Sequence, residues 1–257
     1  MLSPIRVYQL LTAKDQAAHG VKVSAVDEKS DIPACLRELE LKRLRPTLVI
    51  VGGASGLDNG QKTQLDSLFR LVLAPLAEEL QLHVVDGGTD AGIMGLMGQA
   101  RTQISGTFSL VGVAPRSLVN LPDYRVTHPD ASTLEPHHSH CILVPGKNWG
   151  DESAWMAEIA TQLSGTQGSM TILINGGSVT WQDAYASVKV GREVVIIAGS
   201  GRTADVMVKA LQGNTVEDPR MPRLLTSGLL SSVDLENPPM ELKETIKALL
   251  LEQASTP

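Results

Sequence analysis

The chain has 257 residues, a length that fits one large α/β domain, and its 42% hydrophobic content is enough for a full core. A formal charge of −6 argues against nonspecific nucleic-acid binding, which needs a basic surface to displace counterions, and leaves room for a local basic pocket. Cys35 and Cys141 are far apart and have no CxxC spacing, which argues against a disulfide framework or a zinc site and fits a reducing cytoplasm.

Aromatics make up only 3% of the chain, so Val, Ile, Leu and Ala must build the core. No apolar stretch approaches the roughly 20 residues that span a bilayer. The start, MLSPIRVYQLLTAKD, lacks the basic and apolar regions of a signal peptide.

In chain order, Ile5–Leu11 and Val21–Val26 read as a hairpin, and Ile32–Leu44 as a helix leading into the first core strand. Residues 1–45 are expected to form an extension packed on the core, and 46–257 the ligand-binding domain. Thr47–Val51 (TLVIV) is a buried strand stopped by Gly52-Gly53. The spacing of Leu65, Leu68, Phe69, Val72, Leu76 and Leu80 predicts a helix from about Gln61 to Leu80. Leu82–Val85 is the next strand, and Thr89 or Asp90 is placed to cap the helix after it.

Strands follow at Ser109–Ala114, His140–Val144, Met170–Ile174 and Glu193–Ala198, with a weaker one near Gly228–Val233. Helices are expected near Glu152–Leu163, Trp181–Val190, Thr203–Gln212 and Met240–Glu252. The polar, proline-containing Gly213–Gly228 is the segment expected to be mobile. Strands separated by helices imply parallel pairing with right-handed crossovers, and continuous apolar strands imply a sheet covered on both faces. The fold class is therefore α/β: a Rossmann-like, doubly wound sandwich with a mainly parallel sheet of about seven strands.

Such folds bind ligands outside the carboxyl ends of their strands. Four strands here end in glycine-rich turns: Gly52-Gly53-Ala54-Ser55-Gly56, Gly87-Gly88-Thr89, Gly176-Gly177-Ser178 and Gly199-Ser200-Gly201-Arg202. Glycine permits close backbone approach to a phosphate, and a helix N-terminus adds partial positive charge. Glycine also serves sterics in such turns, but four turns on one edge favour a ligand.

Gly92, Gly95 and Gly98 share one helical face at a cost of roughly 1 kcal/mol each relative to Ala. Either close helix packing or a ligand at the helix start accounts for them. Arg202, at a helix start, opposes the helix dipole unless an anion lies between, or unless it is solvated or paired with Asp205. Arg116 is a second candidate cation at a strand end. Alternation places His138 and His140 on one strand face, His138 as a hydrogen-bonding residue of the ligand edge or of the structure. Only Glu135 lies near these histidines, so no metal is expected. The P-loop pattern, GxGxxG and the GxSxG elbow are all absent.

Taken together, Thr47–Ala54 (TLVIVGGA), Asp86–Met94 (DGGTDAGIM), Gly112–Pro115 (GVAP), His138–Val144 (HSHCILV), Ile174–Gly177 (INGG) and Ala198–Val206 (AGSGRTADV) resemble the SLOG superfamily. Within it the chain is similar to the TRPM-type branch, which also occurs as free-standing prokaryotic proteins. The resemblance implies a Rossmannoid fold that binds nucleotide-derived molecules, with ADP-ribose favoured because some TRPM channels bind it. On matching positions it points to Gly53, Ala54, Gly88, Thr89, Gly177, Ser200, Gly201 and Arg202. It also implies a homo-oligomer with a small-molecule nucleotide as its partner; an effector protein is left unidentified, no cofactor is expected to be required, and the location expected from the cysteines is cytoplasmic.

The related LOG phosphoribohydrolases carry GGGxxGLMG and PGGxGTxxE. Gly87–Gly95 nearly matches the first, and Asn175-Gly176-Gly177-Ser178-Val179-Thr180-Trp181-Gln182-Asp183 resembles the second. Asp183 falls on the catalytic Glu, Val179 replaces a glycine, and the catalytic Arg has no clear counterpart. These departures shift the expectation from N-glycosidic hydrolysis, with Asp183 as its base, towards ligand sensing.

Overall fold

The computed structural model describes residues 6–9, 20–41, 44–53 and 59–253. Elements run β1 (Arg6–Gln9), β2 (Gly20–Ala25), α1 (Ile32–Glu38), β3 (Thr47–Gly52) and α2 (Asn59–Ser67). A π-helical stretch, Leu68–Leu73, carries α2 into α3 (Ala74–Glu79). Then come β4 (His83–Asp86), α4 (Gly92–Gln103), β5 (Ser109–Pro115), a short pair β6 (Val119–Asn120) and β7 (Ser132–Thr133), and β8 (His140–Val144). The remainder is α5 (Ser153–Ser164), β9 (Ser169–Ile174), α6 (Ser178–Lys189), β10 (Glu193–Ala198), α7 (Arg202–Leu211), α8 (Met221–Thr226), β11 (Leu230–Asp234) and α9 (Pro239–Gln253).

The main sheet has nine described strands in the order β1-β2-β8-β5-β4-β3-β9-β10-β11. All neighbours pair in parallel except β1 and β2. The sheet therefore exceeds the expected seven strands, because the N-terminal hairpin joins it. β2 pairs with β8 at the register Lys22↔His140, and Val21 and Val23 are buried with Cys141 and Leu143.

Alternation along β3 builds both layers. Leu48 and Ile50 enter one core with Leu65, Phe69, Met97 and Ile246. Val49 and Val51 enter the other with Leu36, Ile159, Ala184 and Met207. From β3 the chain steps one way to β4 and β5, and later the other way to β9 and β10. The strand order thus reverses at β3, which makes the carboxyl ends of β4, β3 and β9 the switch point of the sheet.

Some local expectations change. The lead-in helix stops at Glu38, since Glu40 turns to a φ of 59°. Neither Thr89 nor Asp90 caps α4: Ala91 holds that position with no side-chain bond. Thr89 instead bridges Leu134, and Asp90 N donates to Thr133 O at 2.9 Å. The segment expected to be mobile contains α8, which buries Met221 and Leu224 and tolerates Pro222 in its first turn.

Gly88 of the β4 turn and Gly98 of α4 answer to packing. Gly88 has a φ of +66°, and a Cβ there would lie 2.6 Å from the Gly112 Cα, so the ends of β4 and β5 meet backbone to backbone. A Cβ on Gly98 would overlap the Glu135 carboxylate. Gly95 has only the Asp90 carboxylate near, at 3.9 Å, and needs no such explanation. Among the described residues no helix is long and apolar enough to cross a membrane.

Candidate functional site

A cleft of about 470 Å³ opens at the switch point. The end of β3 (Ile50, Val51, Gly52) and the β4 turn (Gly87, Thr89) form its floor. Ala91 and Met94 of the α4 start, Glu152 and Met156 of the α5 start, and Val179 and Asp183 of α6 form its walls. Residues 129–132, leading into β7, close one side together with Trp149 from the loop after β8. That size suits a small-molecule ligand.

The cleft has two buried carboxylates. Asp183 accepts a hydrogen bond from Ser153 Oγ at 2.6 Å. Burial pushes its pKa up to about 7, the Ser153 bond lowers it, and the neighbouring charge of Glu152 raises it. Glu152 accepts from Gly150 N at 2.7 Å and is likewise raised, mainly by burial. Asp130 adds a third acidic lining residue, and no Lys or Arg lines the cleft among the described residues. Acidic side chains on the walls disfavour a phosphate there, so a phosphate needs a cationic end.

That end lies at α6. The first amides of a helix have no intrahelical acceptor and carry partial positive charge. Arg202 Nη2 sits 3.4 Å from where a Cβ of Gly177 would be, directly before α6. Arg202 itself has a φ of 50° and is exposed at the start of α7. The bonds that hold this corner include Ala204 N to Asn175 O at 2.9 Å and Thr203 Oγ1 to Gly177 O at 3.2 Å.

The glycine turns differ from an open phosphate cradle, because several of their glycine amides already bond within the chain. Gly53 N donates to Ile174 O, Gly88 N to Asp86 Oδ1, Gly176 N to Asn175 Oδ1, Gly177 N to Thr180 Oγ1 and Gly199 N to Asp205 Oδ1. Thr180 is thus a helix cap. Asp205 holds the β10 turn by this bond. Ser200 is fully buried, accepting from Asn175 N at 2.8 Å and donating to Ile197 O, so it welds β9 to β10.

Of the residues singled out from sequence, Gly52, Gly87, Thr89 and Asp183 line the cleft. Gly53, Gly88, Gly92, Gly176, Gly177, Thr180, Gly199, Ser200, Gly201 and Arg202 belong to the turns and helix starts around it. Ala54 and Ser55 lie outside the described residues.

Two residues are turned elsewhere. Arg116 pairs with Asp27 Oδ1 at 2.6 Å and with Val26 O at 2.8 Å. His138 is 1% exposed and lies between Asp86 (2.8 Å) and Glu135 (2.7 Å). It shares no strand face with His140, because β8 begins only at His140, whose Nε2 meets Leu39 O at 3.1 Å. Sequence reasoning missed Glu152, Trp149 and 129–132. Their signal was positional: Trp149 and Glu152 follow the carboxyl end of β8, and 129–132 lie between β6 and β7 beyond the end of β5, but none carries a glycine-rich pattern.

The sequence matches the family described as SLOG in TRPM, prokaryote, over residues 45–243, a span that takes in every cleft-lining element. It is 25% identical over 202 residues to the transient receptor potential cation channel subfamily M member 2 of Mus musculus, and equally to that of Rattus norvegicus. The match covers 64% of this chain but only 13% of each channel subunit. The X-ray structure of TM1055, a Northeast Structural Genomics Consortium target, superposes with a TM-score of 0.51 at 16% identity, covering 79% of this chain and 97% of that one. At that identity the likeness is one of fold. The chain belongs to the prokaryotic SLOG-in-TRPM family.

Proposed function

We propose that the cleft binds a nucleotide derived from NAD, of the ADP-ribose kind, and that the chain acts as its sensor. The observation that carries this reading is the polarity of the cleft. Acidic side chains and apolar walls occupy its interior, and the α6 start with Arg202 lies beside it. AMP has the matching polarity, with an anionic phosphate at one end and an uncharged ribose and base at the other, and ADP-ribose carries the same unit with its diphosphate leading on to a second, uncharged ribose. The choice of an ADP-ribose-like molecule rests on the TRPM-type resemblance.

Thermal shift with ADP-ribose, NAD and AMP tests the proposal. Arg202→Ala is expected to leave the melting temperature of the unliganded protein nearly unchanged, since the side chain is exposed. It is expected to abolish the ligand-induced rise seen in the wild type. No rise with any of the three nucleotides at millimolar concentration overturns the reading.

One observation favours a second reading, cleavage of a nucleotide's N-glycosidic bond. A carboxyl that titrates near 7 is poised for proton transfer at neutral pH, and Asp183 is such a group inside the cleft. Chromatography for released base after incubation with AMP or NAD decides between sensing and hydrolysis.

Asp183→Asn has a separate signature in stability. Folding raises the Asp183 pKa from 3.8 to about 7, so the wild type loses stability as pH rises through that range. Asparagine cannot ionise and still offers an oxygen to Ser153. The variant is therefore expected to melt higher than the wild type at pH 8, with a smaller gap at pH 5. An equal gap at both values contradicts a buried, titrating Asp183.

A further inference from the structure

Aromatic residues are scarce, so where each one sits is informative. Phe69 and Phe108 are fully buried in the core. Trp155 lies under Lys29, Trp181 under Arg220 and Tyr185 under Arg223, with cation-to-ring distances of 5.5–5.9 Å. Among the described residues lining the cleft, Trp149 is the one aromatic.

Its ring is held in place. The indole Nε1 donates to Asp130 O at 3.1 Å, which ties the ring to the 129–132 wall. The half-buried side chain packs against the cluster containing Val119, Leu134 and Leu143. The loop that carries it is pinned by Asp151 Oδ2, which accepts from Lys147 N at 2.7 Å and Asn148 N at 3.0 Å. A rigid aromatic face loses little entropy when a flat ring stacks on it, and such stacking tolerates many bases because every base has a π-face. Ile50, Val51, Met94 and Met156 supply further apolar surface in the same cleft.

From this we infer that Trp149 is the platform on which the nucleobase stacks, and hence the residue that makes the cleft select nucleotides over sugar phosphates. The inference rests on the nucleotide reading above. It gives the bound molecule a direction: phosphate at the α6 start, ribose over the Asp183 and Glu152 carboxylates, base against Trp149.

The test is calorimetry with AMP and ribose 5-phosphate, which differ only in the base. Wild type is expected to bind AMP about ten- to a hundredfold more tightly than ribose 5-phosphate. Trp149→Ala is expected to erase that gap by weakening AMP alone, and Trp149→Phe to keep most of it. Tryptophan fluorescence gives an independent readout. AMP is expected to quench the wild type, ribose 5-phosphate is not, and the AMP-induced change should be missing from Trp149→Phe. A Trp149→Ala protein that still discriminates like the wild type overturns the assignment, as does a wild type that binds both compounds equally. A wild type that binds neither overturns the nucleotide reading and this assignment with it.

Discussion

Replacing Gly52 by alanine is expected to lower the unfolding free energy by about 3–5 kcal/mol, from left-handed backbone strain and overpacking together. Gly52 ends β3 with a φ of +132°, a conformation L side chains rarely adopt. A methyl group there would overlap the carbonyl oxygen of Ile174 and lie 2.8 Å from its carbonyl carbon. Ile174 is the direct register partner of Gly52 in β9. Both groups are backbone at the centre of the sheet, so no rotamer change relieves the clash. The next residue bonds the same carbonyl, Gly53 N to Ile174 O at 3.1 Å, which leaves β9 no room to retreat.

Gly53→Ala is the control. The nearest atom to its added methyl would be the Gly176 Cα, at 3.8 Å, an ordinary contact. That variant is expected to stay within about 1 kcal/mol of the wild type in urea denaturation. If Gly53 is glycine to admit a ligand, the variant loses nucleotide-induced stabilisation while its unliganded melting is unchanged. Equal losses for the two variants would contradict the β3–β9 register.

This contrast shows how far the sequence could be read. Continuous apolar strands followed by glycines located the sheet and its ligand edge, because burial on two faces and a sharp exit from a strand each leave a compositional mark. The role of each glycine left no such mark. Gly52, Gly88 and Gly98 are constrained by Ile174, Gly112 and Glu135, partners 24 to 122 positions away, whereas Gly53 and Gly95 are not. The N-terminal hairpin was legible, but its docking on β8 was not, since register across a long separation has no local signature. Asp183 emerged from motif spacing. Glu152 and Trp149 did not, since one reads as a helix-start acid and the other as a loop aromatic until the fold brings both to the cleft.

Removing His138 is expected to cost about 3–5 kcal/mol, the range for breaking a buried ion pair. Asp86, His138 and Glu135 are each at most 1% exposed. Burial alone would lower the His138 pKa, but the charge and hydrogen bond of Asp86, then those of Glu135, override it and raise the value to about 9. The imidazolium therefore holds two buried carboxylates together. Around them lie His137, which bonds Glu135, and Arg101, whose Nη1 meets His137 O at 3.2 Å. His138→Gln is isosteric enough to spare packing, yet it leaves two anions facing each other without their cation.

The sign of the pH dependence follows. Folding raises this pKa above 6.5, so the stabilisation is fully present below pH 6.5 and fades as pH climbs through about 9. The melting-temperature difference between wild type and His138→Gln is expected to be constant from pH 5.5 to 6.5 and to shrink steadily towards pH 9.5. Adding Glu135→Gln to the variant is expected to restore part of the loss, giving a favourable coupling in a double-mutant cycle. The cluster also bears on the cleft. Asp86 Oδ1 accepts from Gly88 N at 2.7 Å, and Glu135 N donates to Gly88 O at 3.0 Å, so one turn is held from both sides next to Gly87 and Thr89. Nucleotide-induced stabilisation should therefore fall in His138→Gln even at temperatures where the variant remains folded. A variant with full nucleotide affinity and a pH-independent deficit would reduce the cluster to inert packing.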